Sequence, residues 1–422
     1  MPPKMRFLNP LTTFLLFVAT LLTVMQVEQR MAAQSEIACA GQEARLIELR
    51  WAASKQFGMK YTPTENISTN KWNVAVEAVL MSEGGSAGEA RALLPHTPDG
   101  AFRTCWMAAY DSGPLPSEDE VLSVRDGLAG GLASSFLEAA LLSNEAEASR
   151  MHQDALSTYI YKALALYILV LCLIVSALAG IGVSFGMLKK RRPILPAPFL
   201  EMSSALAVRV CLGWYVLFLS SGTIIGLFNG FFPLGLWALP MAYSFHAVFG
   251  VAFICAAEKI TPSELWNRIS KKATPWMSSG IQFLALAIGF VLLLAVILSL
   301  FVPEGETAQR ELMDLIRNTR GIVPFVLMFG TVAVLGPAFE EIFFRGFLLS
   351  VLRRHYSTFW SLVFSSLLFG AIHFQLLNLP FLACLGAALG FAFLVTRDIR
   401  VAIFVHGCWN GGVFLIQKFL LA

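Results

Sequence analysis

The sequence predicts an all-α polytopic membrane protein with about eight or nine transmembrane helices and an inserted, helical extracytoplasmic domain. Three observations lead there. Of the 422 residues, 56% are hydrophobic and only 14% charged, against roughly 25% charged in ordinary soluble domains. The mean hydropathy is +0.66. Several stretches exceed the roughly 18 consecutive apolar residues that mark a spanning helix. One long segment, 28–158, is instead mixed in charge and soluble in character.

In chain order, Lys4 and Arg6 precede an apolar run from Leu11 to Val27, read as a signal anchor or a cleaved signal peptide over 1–27, with Met31-Ala32-Ala33 as a weak processing site. The segment 28–158 then carries helical patterns at Gln42 to Arg50 and Val121 to Glu147, separated by turn signals at Gly84-Gly85 and Ser112-Gly113-Pro114. Its cysteines, Cys39 and Cys105, are read equally as a disulfide or as buried thiols, and Asn66-Ile67-Ser68 matches a glycosylation sequon. An apolar helix from Tyr161 to Leu188, ending in Lys189-Lys190-Arg191-Arg192, makes 159–199 a transmembrane helix with a basic cytoplasmic linker. With Lys4 and Arg6 also inside, 28–158 is expected outside. Further spans fall at 204–229, 233–256, 281–302, 322–352, 359–374, 379–395 and 401–421, within a core domain over 200–422.

Seven cysteines show no CxxC or zinc-finger spacing, and there is no Walker A, GxGxxG or HExxH. Nucleotide binding, ordinary zincin chemistry and nucleic-acid binding are therefore not expected.

The chemistry concentrates in Gly336-Pro337-Ala338-Phe339-Glu340-Glu341-Ile342-Phe343-Phe344-Arg345. An ionised carboxylate at bilayer depth costs several kcal/mol unless paired or wet. On a helix Glu341 and Arg345 are i,i+4 partners in the favourable order. Glu340 points about 100° away, which leaves it as the available group facing a cavity. Pro337 is expected to kink the helix or start a new one. Downstream, Phe369/His373 and His406/Asn410 are again i,i+4 pairs. His246 has no polar face beside it and is read as structural.

Glu340-Glu341-xxx-Arg345, Phe369-xxx-His373 and His406-xxx-Asn410, in that order and with about 30 residues between them, resemble the CPBP family of intramembrane proteases. That family includes the eukaryotic CAAX-prenyl endopeptidase and bacterial Abi-type proteins. The resemblance implies an intramembrane endopeptidase acting on a membrane-associated or prenylated protein or peptide at the lipid bilayer. Glu340 and His373 would activate water, and His406 and Asn410 would stabilise the oxyanion. Glu341, Arg345 and Phe369 would support them. No cofactor is expected; the family's description as metalloproteases leaves a zinc site of Glu340, His373 and His406 as the alternative. A membrane scaffold or bacteriocin-immunity-type protein, with a partner bound by the outer domain, stays open, as does a proton-coupled transporter.

Overall fold

The computed structural model describes residues 12, 16, 19–20, 23, 42–58, 61, 70–98, 100–128, 131–189, 200–232, 234–270, 275–299, 316, 319, 321–374 and 378–420. Most of the first apolar segment, Cys39 and its pairing, the sequon at 66–68, the basic residues 190–192, Lys271, Lys272 and most of 304–320 lie outside the described residues. Among the described residues every regular element is helical, and the chain is a polytopic all-α membrane protein. Its contacts divide it into two units, 33–171 with 416–422, and 1–32 with 172–415.

The unit around 33–171 is built from α1 (Gln42–Gln56), α2 (Lys71–Glu83), α3 (Ala87–Leu93), α4 (Ala101–Tyr110), α5 (Glu118–Gly127), α6 (Leu132–Leu141) and the first part of α7 (Glu145–Lys189). The pattern read at 121–147 is thus three helices rather than one, broken around Gly131 and Asn144. Local chemistry sets the starts. Asn70 accepts from the Trp72 amide at 2.9 Å, and Ser117 with Glu120 closes a capping box on α5. Left-handed residues Gly85 and Ser112 turn the chain where the sequence signalled turns. Trp51, Phe102, Trp106 and Phe136 fill the core, each contributing about 1.5–3 kcal/mol by leaving water. Glu48 is wholly buried; it pairs with Arg45 at 2.7 Å and accepts the Ala133 amide at 2.9 Å, satisfying the start of α6. The helix α7 is continuous, so residues 158 and 159 lie inside it.

The second unit contains the rest of α7, then α8 (Ser204–Phe231), α9 (Ala238–Glu258), α10 (Pro262–Ile269), α11 (Trp276–Ser299), α12 (Ile322–His355), α13 (Thr358–Ala371), α14 (Leu379–Thr396) and α15 (Ile399–Phe419). Seven helices among the described residues are long and apolar enough to cross a membrane. The expected span at 359–374 is the 14-residue α13, about 21 Å at 1.5 Å per residue. The loop after α9 holds the unforeseen α10, started by a Thr261–Glu264 capping box with Pro262 in the first turn. Its Ile269 lies over Gly346 of α12.

The long α12 is not uniform. It runs α-helical over Ile322–Gly330, π-helical over Thr331–Leu335, α-helical over Gly336–Glu341, π-helical again over Ile342–Leu348, and α-helical to His355. The break expected at Pro337 is therefore a change of hydrogen-bond register, with both glutamates on one short α-helical stretch between two π segments. Such insertions recur at functional sites.

Candidate active site

Five elements meet around the two glutamates: α9, α12, α13, α14 and α15. Glu341 is fully buried and accepts from Arg345 Nη1 at 2.8 Å through Oε1. Arg345 also donates Nη2 to the Gly386 carbonyl of α14 at 3.0 Å, and its guanidinium lies 4.4 Å from the centre of the Phe369 ring. Buried charge is tolerated only when paired and hydrogen-bonded, and Arg345 meets both demands.

The same Glu341 oxygen accepts from Nδ1 of His406, from α15, at 2.8 Å. That bond orients the imidazole and leaves Nε2 3.9 Å from Glu340 Oε2. Glu340 is 14% exposed in its side chain, and its Oε2 has no hydrogen-bond partner; Oε2 of Glu341 is likewise unpartnered. A buried carboxylate oxygen without a donor is a position for water or substrate.

His373 follows the end of α13, in the turn rather than on the helix. Its Nδ1 donates to the Phe369 carbonyl at 2.8 Å, since the His373 amide bonds Gly370 instead. The side chain thereby closes the helix end. Phe369 borders both imidazoles, with ring centroids 5.1 Å from His373 and 5.6 Å from His406. Phe374, next in the chain, takes a left-handed φ of 54°.

Asn410 is placed differently from a group aimed at Glu340: its Nδ2 donates to the Val332 carbonyl at 3.2 Å. The structure thus gathers Glu340, Glu341, Arg345, Phe369 and His406, sets His373 against Phe369, and engages Asn410 with backbone. Glu340, His373 and His406 do not converge as ligands. Among the described residues no group of three histidine, cysteine or carboxylate side chains is arranged to hold a metal.

Tyr243 of α9 was not foreseen. A Cβ on Gly336 would stand 3.3 Å from Tyr243 Cε1 and 3.7 Å from Glu340 Oε1, so the phenol and the carboxylate flank one glycine. Nothing in an apolar helix marks that tyrosine in advance. His246 is surrounded by the rings of Trp214, Phe218, Tyr243 and Phe339 and bonds the Ala242 carbonyl at 3.0 Å, as a structural histidine does.

This architecture defines a multi-pass helical membrane protein with a buried carboxylate–imidazole cluster. Residues 322–412, which include every motif residue, match the family model described as Type II CAAX prenyl endopeptidase Rce1-like. The chain is also 31% identical over 114 residues to a Bacillus subtilis (strain 168) protein described as "Putative membrane peptidase YdiL", a match covering 27% of this chain and 44% of that protein. The chain thus spans less than half the length of that relative. No solved structure matches. The likeness read from the three motifs is the one the family model finds.

Proposed function

We propose that the protein is an intramembrane endopeptidase that hydrolyses a peptide bond of a membrane-associated or prenylated protein, with Glu340 as the base that activates water. The observation carrying this is the division between adjacent carboxylates. Arg345 and His406 occupy Glu341, whereas Glu340 Oε2 has no donor and stands 3.9 Å from His406 Nε2. One water spans such a gap while bonding both groups.

In this reading Glu340 takes a proton as the water oxygen bonds the scissile carbonyl carbon. With Nδ1–H given to Glu341, His406 donates through Nε2 as the imidazolium, and that donor stabilises the tetrahedral oxyanion in a low-dielectric site. The C–N bond then breaks, and the proton returns from Glu340 to the leaving amine. His373, anchored through Nδ1, assists on the side of the water. Glu341 and Arg345 fix the His406 ring, much as an acid fixes a catalytic imidazole.

Placement within the bilayer accords with this reading. Glu340 precedes Arg353 by 13 residues, about 20 Å of helix. Basic residues at Lys189 to Arg192 and at Arg353-Arg354 assign the cytoplasmic side. In this reading 28–158 lies outside and engages substrate or a partner.

The test is cleavage of membrane-embedded peptides, prenylated and not, by purified protein in detergent, comparing wild type with Glu340→Gln and each with and without a zinc chelator. Cleavage lost in the variant and retained with chelator is expected. Cleavage by Glu340→Gln overturns the assignment of the base.

A further inference from the structure

Between Gly330 and Pro337 the hydrogen-bond ladder of α12 changes register, and the consequences can be followed carbonyl by carbonyl. The Gly336 amide donates to the Thr331 carbonyl, five residues back, rather than to Val332. Val332 has thereby lost its α-helical donor. In the π register its donor would be residue 337, which is proline and has no N–H. A carbonyl stranded in an apolar interior costs about 1–3 kcal/mol. Asn410 Nδ2 reaches it at 3.2 Å.

Ala333 is next to it. Its α-helical donor would also be Pro337, and a Cβ on Gly407 would lie 2.6 Å from the Ala333 oxygen. Only glycine lets α15 approach so closely. His406, Gly407 and Asn410 therefore face α12 together: one bonds Glu341, one rests on the Ala333 carbonyl, and one bonds the Val332 carbonyl.

We propose that Asn410, with Pro337 and Gly407, is a positioning device that holds α12 in its π register. The extra residue in that turn sets the rotational phase of Glu340 and Glu341 relative to Ile322–Gly330, and Asn410 is the donor that makes the turn tolerable. Its Nδ2 contact is with backbone, so it acts on the glutamates through the helix. This rests on the hydrolase reading only where activity is measured.

Two measurements on the full-length protein test it. The first needs no activity. With valine labelled at ¹³C′ and alanine at ¹⁵N, the Val332–Ala333 peptide unit is observed among the few Val–Ala pairs. Asn410→Ala is expected to shift the Val332 carbonyl resonance in the direction of a lost hydrogen bond. An unmoved resonance overturns the proposal whether or not the protein is a peptidase.

The second is a double-mutant cycle. Pro337→Ala restores an amide at the position from which the π register would serve Val332. Asn410→Ala alone is expected to lower kcat about tenfold or more, following the cost of a stranded carbonyl. In the Pro337→Ala background the same change should cost much less. An equal cost in both backgrounds overturns the proposal and makes Asn410 a direct donor to the oxyanion.

Discussion

His406 reaches Glu341 at 2.8 Å through an oxygen that also receives Arg345, while its other ring nitrogen stands 3.9 Å from Glu340. One imidazole thus touches both members of an acidic pair and treats them differently. Glu341 is fixed by two donors; Glu340 is approached but not engaged.

Removing one donor exposes the dependence. Arg345→Met should leave a buried carboxylate held by His406 alone and destabilise the membrane unit by about 3–5 kcal/mol. Thermal unfolding in detergent measures this. Arg345→Lys should not restore the loss, because one ammonium cannot reproduce the fork that serves Glu341 and the Gly386 carbonyl together. Melting unchanged in both variants contradicts the account.

Tyr243 and Glu340 flank Gly336. If the phenol helps to hold water beside Glu340, Tyr243→Phe lowers kcat about fivefold, the worth of one ordinary hydrogen bond. Its melting temperature should match the wild type, since the ring packing is kept. Unaltered kcat removes the hydroxyl from the site.

In the other unit, a side chain at residue 131 would run into Arg45 and Glu48. Gly131→Ala should therefore cost about 1–3 kcal/mol, as overpacked interiors do. Chemical denaturation followed by tryptophan fluorescence reads it. Ser143→Ala, in the connection before α7, is a useful neutral control.

The pH dependence of that unit should show Cys105. Burial, with the nearby charge of Glu120, pushes its thiol from an ordinary 9.0 up to about 11. A raised folded-state value means that the folded form binds the proton more tightly. The associated stability is complete below the ordinary value of 9.0, where the unfolded thiol titrates, and is lost as pH rises towards 11. Alkylation at pH 8 should be slow in the native protein and fast after unfolding; rapid native labelling contradicts the burial.

Much of the membrane unit was legible beforehand because length and apolarity define a span almost without context. The segments read at 204–229, 379–395 and 401–421 appear as 204–231, 379–396 and 399–419. Pairs four apart, such as Glu341 with Arg345, were equally readable. The π turns were not, since their cause is spread over Pro337, Gly407 and Asn410, on helices about 70 residues apart. The link from His406 to Glu341 needed the tertiary fold as well. So did the position of His373, because no glycine or proline directly follows Ala371 to announce the end of α13. Asp398 escaped notice beside Arg397 and Arg400, yet it is buried and pairs with Arg400.

Gly386 supplies the carbonyl that Arg345 binds and offers the flat surface on which Phe369 rests, with a would-be Cβ 3.2 Å from that ring. A residue with no side chain is therefore wired into the charge balance of the glutamates. Alanine scanning, which reads loss of a functional group, is blind to such a position: replacing Gly386 adds atoms and moves two neighbours at once. The inventory of residues that matter for the chemistry here is longer than the inventory of residues that could perform it.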